Sequence, residues 1–153
     1  MTSTAINQLR PTVLVIDDSP EVQRYFRFVL EADHYLVETA ASGETGLQLV
    51  RTGCVPSVVL LDMQMPGMDG LQTLKCLREL QPELKVIMCS SQDDPEIIRQ
   101  AILLGAQAYL VKPVQHLYLS AALERCLASH CRTSPNPPSP VLMMPREGLG
   151  RAN

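Results

Sequence analysis

The side chains that could carry chemistry follow short apolar runs of the sequence. Asp17 and Asp18 follow the first run, Asp62 follows the third, Ser90 closes the fourth and Lys112 follows the fifth. In a doubly wound parallel sheet, ligands bind beyond the carboxyl ends of neighbouring strands. If these runs are such strands, three carboxylates, one hydroxyl and one ammonium group meet at one edge.

Clustered carboxylates repel one another unless a cation lies among them. Lys112 supplies one positive charge, and a divalent cation meets the rest best. Oxygen ligands favour Mg²⁺, which binds one or two carboxylates together with phosphate oxygens. A carboxylate can act as the nucleophile towards a phosphoryl donor. The cluster therefore outlines a phosphoryl-transfer site.

The elements that must position these groups alternate along the chain. β-branched apolar runs alternate with helical patterns that begin at capping residues and end at Gly or before Pro. This order predicts an α/β fold with a parallel sheet and helices on both faces. The predicted strands are 12–16, 35–39, 57–61, 85–90 and 106–111, and the predicted helices are 19–32, 42–53, 69–80, 94–105 and 114–130.

Composition excludes several classes of function. The 153 residues fit one domain, and a net charge of −3 without any Trp disfavours nucleic-acid binding. Five cysteines, an odd number without a C-x-x-C pair, disfavour zinc and a disulfide framework. The N-terminus does not resemble a signal peptide, and no apolar run approaches the roughly 20 residues of a membrane helix. We therefore expect a cytoplasmic protein that does not bind membranes.

Domain boundaries follow from a change of composition near the C-terminus. Residues 1–10 are expected to be an extension, 11–131 the domain, and 132–153 a Pro-rich disordered tail. The apolar segment 141–144 within this tail is an alternative candidate for a small docking motif.

Four motifs, VLVIDDSP, VVLLDMQMPGMDG, VIMCSS and GAQAYLVKP, together resemble the receiver domain of two-component response regulators. The resemblance covers about residues 12–130 and matches strand ends in order and type. It implies the flavodoxin-like (βα)5 receiver fold, a doubly wound five-stranded parallel sheet in the order 2-1-3-4-5.

The same resemblance implies the roles of the acidic residues. Asp62 corresponds to the phosphoacceptor. Asp17 and Asp18 correspond to the acidic pair that holds Mg²⁺ together with Asp62, with Asp18 the more direct ligand. Met63 corresponds to the residue that contributes a backbone carbonyl to the metal.

The remaining site residues are also assigned by resemblance. Ser90 corresponds to the switch hydroxyl, and Lys112 to the phosphate-binding lysine. Tyr109 corresponds to the aromatic residue whose rotamer reports the switch. Pro113 corresponds to the proline after the lysine, which is often cis in the family.

Two glutamines occupy positions at which the family tunes the lifetime of the phosphoryl group. They are Gln64 and Gln92, long neutral amides that could either orient or obstruct water. The family usually has Ala or Gly where this chain has Ser91, a mild departure.

The predicted function is that of a phosphorylation-controlled receiver, not an enzyme in its own right. Its partners would be a histidine kinase or phosphotransfer protein and a downstream protein that contacts the fourth helix, fifth strand and fifth helix. An apolar excess on the fifth helix, which includes Leu117, Leu119 and Leu123, suggests a homodimer through the same face.

Two alternatives compete with this prediction. One is a receiver-like binding module regulated without phosphorylation. The other is an enzyme, either a flavodoxin-like cofactor carrier or an aspartate-based phosphatase. The segment DDSPEV after the first strand is neither a Ser/Thr/Gly-rich phosphate loop nor a D-x-D motif, which disfavours the enzyme.

Overall fold

The structure is a computed structural model that describes residues 10–128 and the backbone of residues 141–143. The predicted extension 1–10 lies almost wholly outside the described residues, as does the predicted tail 132–153 apart from residues 141–143. The fold is therefore that of the domain expected at 11–131.

All strands of the sheet are parallel and lie in the order β2-β1-β3-β4-β5-β6. The predicted five-stranded order 2-1-3-4-5 is confirmed. The sixth strand, within the segment expected to be disordered, was not predicted. The strands are β1 Thr12–Ile16, β2 Leu36–Ala40, β3 Val58–Asp62, β4 Lys85–Ser90, β5 Ala108–Val111 and β6 Val141–Met143.

The predicted helices form, and their bounds differ from prediction by a few residues at most. Ser19 and Ser42 cap the first two as expected, accepting hydrogen bonds from Val22 N and Thr45 N. Asp69 caps the third through a reciprocal capping box with Gln72. The helices are α1 Pro20–Ala32, α2 Gly43–Arg51, α3 Gly70–Leu80, α4 Pro95–Leu103 and α5 His116–Ala128.

Two apolar cores form, because alternate strand residues point to opposite faces of the sheet. On one face, Val13 and Val15 share a core with Phe26 of α1 and Leu123 of α5. On the other, Leu14, Ile16 and their neighbours pack with residues of α2, α3 and α4. With both faces covered, β3 is buried along its whole length, as its continuous apolar sequence indicates.

The apolar excess predicted for α5 is largely used inside the protein. Leu119, Leu123 and Cys126 are buried in the core, whereas Leu117 is 76% exposed. The basis for a homodimer through this helix is therefore reduced to Leu117. In the described part of the chain, no helix has the length and apolar character needed to cross a membrane.

Four cysteines are free thiols within residues 10–128. They are Cys54, Cys76, Cys89 and Cys126. The remaining cysteine, Cys131, lies outside the described residues.

Candidate functional site

Three carboxylates meet at the carboxyl edge of the sheet. The side chains of Asp17, Asp18 and Asp62 each place a carboxylate oxygen within 4.8 Å of the other two. Asp17 and Asp62 are buried, with 2% and 6% exposure, whereas Asp18 is exposed to solvent. The cluster arises because β1 and β3 are adjacent parallel strands that end at the same level, with Ile16 beside Leu61.

Lys112 bridges the two buried carboxylates. Its Nζ lies 2.7 Å from Asp17 Oδ2 and 3.3 Å from Asp62 Oδ1. Burial lowers the pKa of Lys112, but the hydrogen bond to Asp17 and the charge of Asp62 outweigh burial, so the net shift of this pKa is upward. Lys112 is therefore a fixed positive charge within the cluster.

Lys112 does not compensate the negative charge of all three carboxylates, and the effect is seen in the pKa of Asp62. Burial raises the pKa of the Asp62 carboxyl to about 6, the attraction of Lys112 opposes this, and the neighbouring charge of Asp17 adds to it. A carboxyl group with this environment binds a cation or a proton more readily than an exposed aspartate does.

Asp17 is held by groups at the start of α1. Its Oδ1 accepts a hydrogen bond from Ser19 N at 2.9 Å, and its backbone carbonyl accepts one from Gln23 Nε2 at 2.6 Å. Gln23 was not predicted as a site residue. The signal was its place four residues after the cap Ser19, which puts it on the same side of the first helical turn.

The loop after β3 brings the start of α3 against the end of the strand. Gly70 N donates a hydrogen bond to the Met63 carbonyl at 2.9 Å. A Cβ at Gly70 would collide with the backbone oxygen of Asp62 and with Cα of Met63, so this position requires glycine. Because a carbonyl oxygen has two lone pairs, this bond leaves the Met63 carbonyl one acceptor position.

Ser90 and Tyr109 lie on the adjacent strands β4 and β5, two positions apart in the register, with Tyr109 opposite Met88. Both are fully buried, and Ser90 Oγ accepts a hydrogen bond from Gln92 N at 3.1 Å. The Tyr109 hydroxyl donates a 2.9 Å hydrogen bond to the Gln92 carbonyl. Burial raises the pKa of Tyr109, and the hydrogen bond with Ser90 opposes that shift. The tyrosine therefore points inward and is linked to the loop after Ser90.

Gln64 and Gln92 line one cavity beside the β3–α3 loop. This cavity of about 530 Å³ is also lined by apolar residues of the β3–α3 loop and α4. Gln64 is exposed and Gln92 is partly buried. The hydrogen bond from the Tyr109 hydroxyl to the Gln92 carbonyl was not predicted from the sequence.

On the opposite side of the site, the peptide bond between Lys112 and Pro113 is cis. Lys112, Pro113 and Ser91 line a second cavity, of about 630 Å³, against the start of α1. The α1 residues Val22 and Tyr25 form its other wall. This groove opens beside the ammonium group of Lys112 and is the larger of the two that flank the site.

The family model that matches this chain is described as "Response regulator receiver domain" and covers residues 13–124. The positive alginate biosynthesis regulatory protein of Pseudomonas aeruginosa is 40% identical over 116 residues, which are 74% of this chain and 46% of that protein. Protein CcdB of Bacillus subtilis is 33% identical over 116 residues, 75% of this chain and 96% of that protein. The nitrate/nitrite response regulator protein NarL of Escherichia coli is 34% identical over 124 residues, 80% of this chain and 57% of that protein.

Solved structures agree with the sequence relatives. A CheY-like receiver domain protein from Methanospirillum hungatei has a TM-score of 0.75 and 28% identity, covering 78% of this chain and 95% of its own. Chemotaxis protein CheY4 of Vibrio cholerae has a TM-score of 0.73 and 29% identity, covering 77% and 99%. The chain spans about half the length of two of the sequence relatives, at 46% and 57%.

Both the sequence relatives and the solved structures therefore place this parallel α/β fold, with its acidic cluster at the carboxyl edge, in one class of signalling domain. The chain belongs to the response regulator receiver domain family. This family is a signalling domain and not a catalytic enzyme.

Proposed function

We propose that the chain is a phosphorylation-controlled receiver of a two-component system or phosphorelay, in which Asp62 accepts a phosphoryl group from a histidine. The observation that carries the proposal is the shared site of Asp17, Asp18 and Asp62 around the Lys112 ammonium. In this reaction an Asp62 carboxylate oxygen attacks phosphorus, the P–N bond to the imidazole breaks, and its electron pair stays on the nitrogen.

The residues fit a bound Mg²⁺ ion. The donors are all oxygen atoms, and three carboxylates face one lysine, so the site has an excess of negative charge. Asp17, Asp18, Asp62 and the Met63 carbonyl would hold the ion. When bound, Mg²⁺ neutralises charge on the transferring phosphoryl group.

The other residues act on the phosphoryl group and transmit its presence. Lys112 is close enough to Asp62 to neutralise one phosphoryl oxygen. The Ser90 hydroxyl, at the end of the adjacent strand, would donate a hydrogen bond to another oxygen. Because Ser90 and Tyr109 are both linked to Gln92, movement of Ser90 changes the surroundings of Tyr109 and the face formed by α4, β5 and α5.

The two glutamines are proposed to set the phosphoryl lifetime. Both line the cavity beside the β3–α3 loop, which follows directly on Asp62. Exposed Gln64 can orient or exclude water without disturbing the core, whereas Gln92 is also tied to Tyr109. Exchange of Gln64 should therefore alter the lifetime alone, and exchange of Gln92 should alter lifetime and switching together.

The phosphoryl donor is proposed to dock at the groove beside α1. This groove has an apolar wall that includes Tyr25 and Pro113, and it is also lined by Lys112, whose Nζ lies 3.3 Å from Asp62 Oδ1. Output then occurs by protein contact at the face of α4, β5 and α5, without nucleic-acid binding by this domain.

The decisive experiment compares Asp62→Asn with the wild type in phosphoryl incorporation from a cognate kinase or from acetyl phosphate. We expect Asp62→Asn to lose incorporation, because an amide is not a nucleophile towards phosphorus. Asp33→Asn is the matched control, because it makes the same change at the end of α1, away from the acidic cluster. It should be labelled like the wild type. The label should be an acyl phosphate and therefore be released by hydroxylamine.

Two results would contradict the proposal. Asp62→Asn could be labelled as strongly as the wild type, which would place the acceptor elsewhere. Alternatively, the wild type could resist every donor and bind no Mg²⁺ in the millimolar range. The second result would favour the receiver-like binding module that works without phosphorylation.

A further inference from the structure

The feature with no role in the proposed phosphotransfer is β6. Its residues Val141–Met143 lie parallel to β5, with Val141 opposite Ala108 and Met143 opposite Leu110. Without β6, β5 is the edge of the sheet and presents unpaired N–H and C=O groups. Such an edge accepts an extended segment by main-chain hydrogen bonding.

The strand that occupies this edge is short and bounded by residues that cannot extend it. Pro140 precedes it and Pro145 follows two positions after its end. Proline lacks the N–H that a ladder needs, so the pairing is limited to a few hydrogen bonds. Each such bond contributes little net free energy, so β6 is held weakly.

The length of chain before β6 makes its attachment an intramolecular equilibrium. Helix α5 ends at Ala128 and β6 begins at Val141, so 12 residues, 129–140, connect them. Because β6 is part of the same chain, its pairing with β5 is an intramolecular event that does not depend on protein concentration. A weak strand can therefore occupy the edge in cis and still leave it for a competitor.

The edge strand also belongs to the part of the fold that carries the buried tyrosine. Leu142 is opposite Tyr109, and on its other side Tyr109 is opposite Met88 of β4. Two residues after Leu110, the chain reaches Lys112, which pairs with the acidic cluster. Strand β5 therefore connects the two places: its edge pairs with β6, and the residue after its end, Lys112, contacts the acidic cluster.

We propose that the edge of β5 opposite β4 is a strand-acceptor site whose resident ligand is the chain's own segment 141–143, held in cis and exchangeable. The ligand class is an extended apolar peptide of three residues that pairs in parallel. While the segment is docked, it closes the strand edge of the α4, β5 and α5 face. That consequence for output rests on the proposed function, but the acceptor site itself does not.

The experiment uses the full chain in two proline variants. Successive residues of a strand direct their N–H groups to opposite sides, so Leu142→Pro and Val141→Pro/Met143→Pro remove N–H groups from opposite sides of β6. One variant must break the pairing with β5, and the other removes N–H groups that face away and serves as the matched control.

Amide hydrogen exchange of residues 108–111 is measured first, without any phosphoryl donor. In the variant that loses the N–H groups facing β5, the amides of β5 that face β6 should exchange about tenfold faster than in the wild type. This is the effect expected from the loss of one or two hydrogen bonds. The control should exchange like the wild type. Unchanged exchange in both variants would overturn the occupation of the edge in cis.

A fluorescein-labelled peptide with the sequence PSPVLMMPRE, taken from residues 138–147, then tests the acceptor site. Its fluorescence anisotropy should rise with the opened variant and should require at least tenfold more wild-type protein for the same rise. A peptide of scrambled sequence should not bind. Failure of the opened variant to bind the peptide would overturn the acceptor site, whatever the outcome of phosphorylation at Asp62.

Discussion

Two aspartates of this chain, Asp62 and Asp33, each lie beside a basic side chain, yet the pKa values of their carboxyl groups are shifted in opposite directions. Asp62 lies 3.3 Å from Lys112, and burial raises its pKa to about 6 despite that lysine. Asp33, on the surface between α1 and α5, lies 2.7 Å from His116. Hydrogen bonds from His116 and Ser120 lower the pKa of Asp33 and outweigh the small effect of burial.

The two environments have different consequences for the negative charge of each aspartate. At Asp33, every neighbour stabilises the negative charge, and the result is a contact that joins two helices. At Asp62, burial and Asp17 disfavour the charge, and one lysine only partly offsets them. A carboxylate in that state contributes poorly to stability and is suited to receive a cation and a phosphoryl group.

The largest effect should come from removal of the lysine that the buried carboxylates share. Lys112→Met leaves Asp17 and Asp62 as buried charges without their cation. We expect the free energy of unfolding to fall by about 3 kcal/mol, the usual cost of breaking a buried pair. Urea unfolding measures it at neutral pH without metal. Lys75→Met, on the exposed face of α3, is the control and should change stability little.

A smaller effect of opposite sign is expected for the acceptor itself. Asp62→Asn removes the charge that burial disfavours, so the metal-free variant should be more stable than the wild type by about 1 kcal/mol. Millimolar Mg²⁺ should raise the melting temperature of the wild type more than that of the variant. Equal responses of both proteins to Mg²⁺ would remove Asp62 from the metal site.

The smallest effect belongs to the surface contact. Asp33→Asn should lower the free energy of unfolding by less than about 1 kcal/mol at neutral pH, because the contact of Asp33 with His116 is partly exposed to solvent. The pKa of Asp33 is lower in the folded state, so its contribution is present above pH 4 and is lost as the pH falls through that lowered pKa.

The matching measurement is chemical unfolding of the wild type and of Asp33→Asn between pH 2 and 7. The two stability curves should converge at the acidic end. A constant difference across this range would mean that Asp33 acts by packing and not by its charge.

Much of the fold follows from the sequence because its signals are local. The strands up to β5 and the helices have apolar patterns of their own, and helices α1 to α4 begin at capping residues such as Ser19 and Ser42. The carboxyl-end position of Asp17 and Asp62 follows from parallel pairing alone. Strand order came from resemblance to the family, since order depends on contacts between distant segments.

What the sequence did not predict depends on such distant contacts. Strand β6 is three residues long within a Pro-rich segment, so it has no period to detect, and only the free edge of β5 gives it a partner. The unequal distances of Lys112 to Asp17 and Asp62 depend on side-chain packing. The apolar residues of α5 were predicted to form an exposed surface. The sequence of one helix does not reveal how many of its residues are buried in the core, because burial depends on the strands against which it packs.

The inward position of Tyr109 makes the protein its own optical reporter. The chain has four tyrosines and no tryptophan, so its ultraviolet emission comes from phenol rings alone. A phenol that donates its proton to a carbonyl emits weakly, and Tyr109 is bonded in this way to Gln92. Departure of this ring from its buried position should therefore brighten the native emission, which would allow the proposed switch to be followed in real time without a dye or an introduced residue.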